Sequence, residues 1–388
     1  MDAGLCLLRF FMQAGFTCYE AGLVQSKNVI SVAIENIFNL TISIVLFSLV
    51  GFPMMFGETI FSADSSAETA FVFLQIMFAA VSVTIFAGAL SERTKLAPLL
   101  VAGAVSAALI YPLFGRLAWG SHLSGNASWL EKLGFLDFAG ASVVHMTAGF
   151  VALAGLLAVG SRSRQHTGKS NIPLAVLGVF ILWFGWFGFN AGSALAADGL
   201  AAHAFVTTAV SSAAAMLSWM FCDVVVNKKP TFVGACTGMV AGLVGITPGA
   251  GFVPIWAALI IGLTTSPICF FMISWVKEKF GYDDALDAFG CHGVGGIWGG
   301  ICTGLFCKVS INDIGQGNGL FFGDTKLFLM QLASIGITIV VSVAGTLICY
   351  GITRLVTGKI RVTEREERVG LDRSQHGESA YPSFNGLD

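Results

Sequence analysis

Two histidines lie in the middle of apolar stretches of this sequence. His145 belongs to DFAGASVVHMTAG, residues 137–149, and follows Asp137 by about two helical turns. His292 belongs to a second stretch, DAFGCHGVGGIWGG at 287–300, which also opens with a carboxylate. A single histidine in such a span would more often be a hydrogen bond between packed helices. The matched pair favours a functional site, because each neutral imidazole has one donor and one acceptor nitrogen, and two that meet could relay a proton.

The composition predicts a polytopic integral membrane protein. Of the 388 residues 55% are hydrophobic and only 11% are charged, whereas soluble globular proteins carry about 25% charged residues. The 47 glycines suit helices that pack closely in lipid. Without a basic run, the chain is not expected to bind nucleic acid. The cysteines lack metal-ligand spacing, so the sequence predicts neither a metal nor a cofactor.

The apolar segments predict an all-α fold, since a transmembrane helix needs about 20 apolar residues. Eleven segments qualify, and the last is long enough to extend beyond the membrane. They are 4–24, 29–52, 71–90, 96–118, 138–160, 172–193, 203–226, 231–250, 253–276, 287–306 and 327–356. We therefore expect a transmembrane bundle over residues 1–356 and a polar cytoplasmic tail over 357–388.

The distribution of lysine and arginine predicts the orientation. Alternate loops hold ten of these residues: Lys27, Arg93, Lys95, Arg162, Arg164, Lys169, Lys228, Lys229, Lys277 and Lys279. The opposite loops hold three, Lys132, Lys308 and Lys326. Positive charge stays inside, so the N-terminus is expected outside and the C-terminus inside. Arg9, within the first span, is expected to snorkel to an interface.

The positions of the histidines indicate an internal repeat. They fall in predicted spans five and ten, which are equivalent places in two five-span halves followed by one extra helix. Because five is odd, the halves would insert in opposite directions and form an inverted repeat. Inverted repeats place their substrate sites near the membrane midplane, so we expect His145 and His292 to meet there.

Six motifs carry a resemblance to a known family. They are MQAGFTCYEAGLVQSKN (12–28), FAGALSER (86–93), DFAGASVVHMTAG (137–149), GWFGFNAGSA (185–194), DAFGCHGVGG (287–296) and GLDRSQHGESAY (370–381). In these motifs the chain resembles the bacterial type of the ammonium transporter family (Amt, with the Mep and Rh relatives). The resemblance covers essentially the whole length of the chain. The resemblance implies a homotrimer in the cell membrane, with an eleven-helix pore in each subunit.

The resemblance also implies roles for seven residues of this chain. An outer site that recruits ammonium would comprise Trp119 and Ser193, with Asp137 supporting it from behind; Phe78 and Phe189 would form a phenyl gate; His145 and His292 would form the proton relay of the pore.

One position departs from the family pattern. Leu74 stands one turn before Phe78, where the family often has a second phenylalanine. The recruitment site would therefore have one aromatic ring fewer, which affects its affinity for the cation.

Two functions stay open at this point. In the first, the protein is a transporter or channel that takes ammonium (methylammonium as its analogue), deprotonates it and passes ammonia through the pore. In the second, it is an ammonium sensor that conducts little and signals through its tail. The sequence shows no nucleophile–base pair or phosphate loop, so we do not expect an enzyme.

The tail, 357–388, allows more than one interpretation. Its polar composition is compatible with a disordered end or with a docking segment. It is similar to the segment through which family members meet PII-type regulators. Its last residues are similar to those of members fused to a signalling domain, which here would continue past Asp388.

Overall fold

A computed structural model of the protein describes residues 3–124, 127–163, 168–315 and 317–381. Arg164 and residues 382–388 of the tail lie outside these ranges. The described residues form helices joined by short connections. They contain no β-strand, only an isolated bridge between Thr94 and Arg361.

The long helices follow one another along the chain with short loops between them. They are α1 (Ala3–Leu23), α2 (Ser26–Phe56), α3 (Ser66–Ala89), α4 (Leu96–Trp119), α5 (Ala141–Val159), α6 (Ile172–Ala194), α7 (Gly199–Asn227), α8 (Phe232–Ile246), α9 (Ile255–Phe280), α10 (289–306) and α11 (Thr325–Thr357). Within the described residues, eight of them are long and apolar enough to cross a membrane, namely all except α1, α8 and α10. The crossing of those three and the orientation of the two termini remain predictions.

Side chains at the helix starts satisfy the first backbone N–H groups, which have no partner inside a helix. Ser65 and Glu68 form a reciprocal capping box at the start of α3. Asp198 accepts from two amides of α7 at 3.0 Å, and Asp324 accepts from one amide of α11, that of Lys326, at 2.8 Å. These polar residues therefore fix the starts of α3, α7 and α11.

Glycine allows α1 and α6, the first helices of the two predicted halves, to pack with their backbones in close approach. A Cβ atom on Gly15 would lie only 2.7 Å from the backbone nitrogen of Leu182. A Cβ atom on Gly178 would meet the backbone of Tyr19. Small residues of this kind are the usual means of helix association in lipid.

At the end of the bundle that carries the tail, one guanidinium joins three loops. Arg162, after α5, donates to both carboxylate oxygens of Asp283 at 2.8 and 2.6 Å and also bonds to Glu92, which follows α3. Arg93 is fully buried beside them and donates to the backbone carbonyl of Asp283 at 2.5 Å. The connections after α3, α5 and α9 are thus held together by paired, buried charges.

The described part of the tail packs onto the same end of the bundle. Asp372 is buried and accepts from the backbone N–H of Ser31, at the start of α2, at 2.8 Å. Lys27 donates to the backbone carbonyls of Glu367 and Arg368 at 3.1 and 3.0 Å. The interpretation of the tail as a disordered end is therefore wrong for residues 358–381, which are folded against the helices.

Candidate functional site

The structure brings the two histidines together in the interior. The Nδ1 atoms of His145 and His292 lie 3.2 Å apart, and the rings are nearly parallel, at 21° with 5.2 Å between centroids. Their side chains are 0% and 5% exposed. Each histidine lies on a π-helical turn that opens its helix, Ala141–Met146 in α5 and Phe289–Val294 in α10. Such turns occur frequently at functional sites.

A contact between two glycines allows this approach. Gly149, one turn after His145, packs directly on the backbone of Gly293, the neighbour of His292, and a Cβ atom on Gly149 would collide with it. With any larger residue the two helices would have to separate. The short distance between the rings therefore depends on the absence of side chains at this crossing.

A carboxylate precedes each of the two helices and accepts from its first amides. Asp137 accepts from four consecutive backbone N–H groups, those of residues 140–143, at 2.8 to 3.1 Å. In α10 the corresponding bond, from Phe289 N at 2.8 Å, goes to Asp284. The acidic start that the sequence indicated, Asp287, instead pairs with Lys277 at 2.6 Å. The carboxylate that bonds the start of α10 is therefore Asp284, and not the Asp287 at which the apolar stretch opens.

A continuous series of aromatic rings leads away from His145. Its imidazole stacks on Trp186, with centroids 5.0 Å apart and planes at 13°. Phe189 lies 5.6 Å from His145 and 4.5 Å from Phe78, which it contacts edge to face. The indole N–H of Trp186 donates to Thr247 at 3.0 Å and fixes that ring. The pair named as a phenyl gate is thus in direct contact.

The series ends at a cleft on the surface of the bundle. Trp119, Asp137 and Ser193 line this cleft, which has a volume of about 360 Å³. A cavity of about 20 Å³ adjoins it, lined by Leu74, Phe78, Trp119 and Ser193 among others. Trp119 and Phe78 are 5.6 Å apart. The residues assigned to the recruitment site therefore surround one cleft that leads to the two phenyl rings.

Two polar residues of this cleft region were missed from sequence. Gln75 is buried on α3, lines the small cavity, and its Oε1 atom has no hydrogen-bond partner among the described residues. His122 lines both the cleft and the small cavity. A glutamine inside an apolar span was a signal that could have been used. His122 gave none, because its position depends on contacts between distant segments.

Arg9 does not snorkel, contrary to expectation. It is 0% exposed, its Nε donates to the backbone carbonyl of Gly188 at 2.8 Å, and its guanidinium lies 5.2 Å from the centre of the Phe78 ring. Carbonyl oxygens of α6 and an aromatic face provide the partners that membrane lipid lacks. A fixed positive charge therefore lies next to the phenyl pair.

The family model described as "Ammonium Transporter Family" matches residues 5–381. The chain is 39% identical to an ammonium transporter of Bacillus subtilis, over 97% of this chain and 96% of the relative. It is 36% identical to the ammonium transporter Amt1 of Archaeoglobus fulgidus, over 96% of each.

Solved structures have the same fold. One titled "Sensor Amt Protein" matches with a TM-score of 0.88 and 32% identity, over 96% of both chains. Mep2 of Saccharomyces cerevisiae matches with a TM-score of 0.83 and 29% identity, over 92% of this chain and 86% of that one. Together with the eight apolar helices, these matches identify a multi-pass membrane protein.

Proposed function

We propose that this chain, which belongs to the ammonium transporter family, recruits ammonium in the cleft beside Trp119, removes a proton and passes ammonia between His145 and His292. That family consists of transporters and not of enzymes. The proposal includes eleven membrane crossings over residues 1–356, an outer N-terminus, an inner C-terminus, a homotrimer and residence in the cell membrane. It places the cleft on the outer side.

The cleft suits ammonium for reasons of hydrogen bonding. Ser193 donates its hydroxyl hydrogen to the carbonyl of Phe189 at 2.9 Å, so the oxygen lone pairs of Ser193 remain to accept from a cation. The indole of Trp119 supplies a face for a cation–π contact of about 0.5–2 kcal/mol. Potassium has a similar size but donates no hydrogen bond, and an acceptor with a fixed direction favours ammonium over it.

Ammonium must lose its charge at or before the phenyl pair. Phe78 and Phe189 touch at 4.5 Å between centroids, and an unpaired cation in such an apolar passage would cost several kcal/mol. Neutral ammonia carries no such penalty, so deprotonation at or before the pair allows nitrogen to proceed.

The bond between His145 and His292 is the observation that carries the proposal. At 3.2 Å between Nδ1 atoms one ring donates and the other accepts. The donating ring keeps a lone pair on Nε2, and the accepting ring carries its hydrogen there. The pair therefore offers an acceptor at one end and a donor at the other. When the free Nε2 takes up a proton from ammonium, the shared proton passes to the second ring and that ring releases its Nε2 hydrogen, so the acceptor and donor ends exchange. The Nε2 atom of His145 has no partner among the described residues.

The test is a flux measurement on the purified protein in liposomes. We expect methylammonium pulses to give currents on a supported membrane, and radiolabelled uptake, that fall at least tenfold in His145→Ala and Phe189→Ala. Matched controls are His203→Ala, a histidine bonded to the carbonyl of Val253, and Phe184→Ala, an exposed residue of the same helix as Phe189. Full flux in both pore variants would refute the assignment. The ratio of the charge moved to the radiolabelled methylammonium taken up reports whether the charged or the neutral species crosses.

A second function, ammonium sensing, is favoured by two observations. The solved relative titled as a sensor is 32% identical to this chain, and the described tail is bonded to the start of α2 through Asp372. A sensor would bind methylammonium and give little current. Its docked tail would then communicate with a PII-type regulator or a fused signalling domain. Saturable binding without uptake in the same liposomes would favour sensing over transport.

A further inference from the structure

His122 occupies the part of the cleft where the departure at Leu74 removes an aromatic ring. It lies on the short helix Ser121–Ser124, directly after α4. Its imidazole stacks on Phe71, with centroids 5.7 Å apart and planes at 18°, and meets Trp119 edge to face at 6.5 Å. His122 and Leu74 line the same small cavity, and His122 also lines the larger cleft.

The hydrogen bond of His122 determines which of its nitrogens can accept. Its Nδ1 lies 2.9 Å from the backbone carbonyl oxygen of Trp119. A carbonyl oxygen accepts and never donates, so the hydrogen of this bond belongs to Nδ1. In the neutral ring Nε2 then carries the lone pair. The cleft therefore contains a ring with a stacking face and one acceptor nitrogen.

We propose that His122 is a further ammonium-binding residue of this chain, and that protonation of its imidazole opposes recruitment of the cation. The inference rests on the proposed function and extends it. Ammonium only donates hydrogen bonds, and Nε2 accepts one where the usual second phenyl ring would have contributed only its face. The residue that replaces the missing ring is supplied by another segment of the chain.

Protonation would reverse both contributions. Histidine is the side chain whose charge ordinarily changes between about pH 5 and 8. A protonated ring has no acceptor and places a positive charge beside a second cation, so both effects weaken binding as the pH falls.

All but one of the other charged groups around His122 have hydrogen-bond partners in the described part of the chain. Those on the elements packed against its helix or across the cleft are Glu58, Glu68, Arg116, Glu131 and Asp137, with Arg9 beyond Phe78. Glu131 and Glu68 accept from the backbone at 2.6 and 3.0 Å, and Asp137 accepts from four amides. Arg116 donates to a carbonyl at 2.8 Å, and Glu58 is exposed.

The experiment measures the half-saturating methylammonium concentration of the full chain in liposomes. Supported-membrane currents would be recorded at about pH 7.5 and about pH 5.5, a range that spans the ordinary titration of histidine. For the natural protein we expect the half-saturating concentration to rise about tenfold at the lower pH. For His122→Phe we expect a half-saturating concentration about tenfold higher than that of the natural protein at the higher pH, which is the loss typical of a hydrogen bond to a charged group. We also expect this variant to show little further rise at the lower pH.

Two further variants make the outcome specific. His122→Gln keeps an acceptor without a titrating ring, so we expect near-natural affinity at the higher pH and no rise at the lower one. His203→Phe removes a histidine that also bonds to a backbone carbonyl but does not line the cleft, and it should retain the natural rise. If His122→Phe and His122→Gln both keep the natural affinity and pH dependence while the chain transports, the role of His122 is overturned alone. If the natural protein neither binds nor transports methylammonium, the proposed function itself fails.

Discussion

The indole N–H of Trp119 donates a hydrogen bond of 2.9 Å to the backbone carbonyl of Asp137. The carboxylate of the same aspartate accepts from the four amides that open α5. One residue therefore positions both the aromatic wall of the cleft and the start of the helix that carries His145. Trp119 in the cleft and His145 in the pore are therefore both positioned by Asp137.

Replacing Asp137 should damage stability and flux together. Asp137→Ala leaves four buried N–H groups at the start of α5 without their acceptor. Losing one such cap costs about 1–2 kcal/mol, and four amides bonded to one charged acceptor should cost more. We expect a melting temperature in detergent that is lower by several degrees, together with a clear loss of methylammonium flux.

Asp198 provides the matched control for that variant. It caps α7 with two amide bonds at 3.0 Å, in a more exposed position. Asp198→Ala should lower stability by about 1 kcal/mol and leave flux close to natural. Equal effects of the two variants would show that Asp137 is only a helix cap.

Adding one methyl group at Gly149 should separate the histidines. Gly149→Ala places a Cβ atom against the backbone of Gly293, which cannot move as a flexible side chain could. Overpacking of this kind typically costs about 1–3 kcal/mol. We expect reduced thermal stability and a loss of flux greater than the loss of folded protein, both measured on the same purified sample.

Gly336 on α11 is the control for the added methyl group. A Cβ atom there meets nothing within 4 Å, and alanine favours a helix by about 1 kcal/mol over glycine. Gly336→Ala should therefore be neutral or slightly stabilising. If Gly149→Ala behaved the same way, the close crossing of α5 and α10 would not be required.

The charge pair at Asp283 predicts a pH-dependent stability. Burial acts to raise the pKa of this carboxyl group, but the hydrogen bonds and charge of Arg162, with the charge of Arg93, outweigh burial and lower the pKa from 3.8 to about 2. A group whose pKa is lower in the folded state stabilises above its unfolded pKa, and that contribution is lost as the pH falls through the folded value.

The variant that reports this contribution is Asp283→Asn. We expect it to melt below the natural protein above about pH 4, and the gap to shrink as the pH falls from about 4 to about 2. Glu278→Gln, at a nearby exposed residue of α9, should show little difference at any pH. A constant gap for Asp283→Asn down to the lowest pH would contradict the proposed ion pair.

Loss of the Asp372 carboxylate should release the tail. Asp372→Ala removes the 2.8 Å bond to the backbone of Ser31 and leaves that buried N–H without its acceptor, at a cost of about 1–3 kcal/mol. Local unfolding would then free the helical backbone around Arg365 for protease more often. We expect trypsin to cleave within 359–381 about tenfold faster. Glu364→Ala, which changes an exposed side chain, should cleave at the natural rate.

The meeting of His145 and His292 could be predicted because it depends on a pattern that the sequence displays. Both histidines stand in Gly-rich apolar stretches, and each stretch is the fifth predicted span of its half. An inverted repeat then brings equivalent positions together. The hydropathy of single spans sufficed, with no knowledge of side-chain contacts.

Asp284 and Arg9 could not be predicted, since each depends on backbone detail. Asp287 is the acid that adjoins the apolar stretch. However, Asp287 adopts a φ of 58°, and Asp284 is the acid that bonds the first turn of α10. Arg9 is accommodated by carbonyls of α6 and by Gly192, where a side chain would collide with the guanidinium. Neither arrangement leaves a sequence signal.

The guanidinium of Arg162 has a consequence for how substrate could cross. It bonds at once to Glu92 in the first predicted half and to Asp283 in the second. Rocking one half against the other would have to break buried charge pairs and pull apart the touching backbones of Gly149 and Gly293. The scaffold therefore favours transport in which the two predicted halves stay fixed over transport in which they rock to expose the substrate to each side in turn.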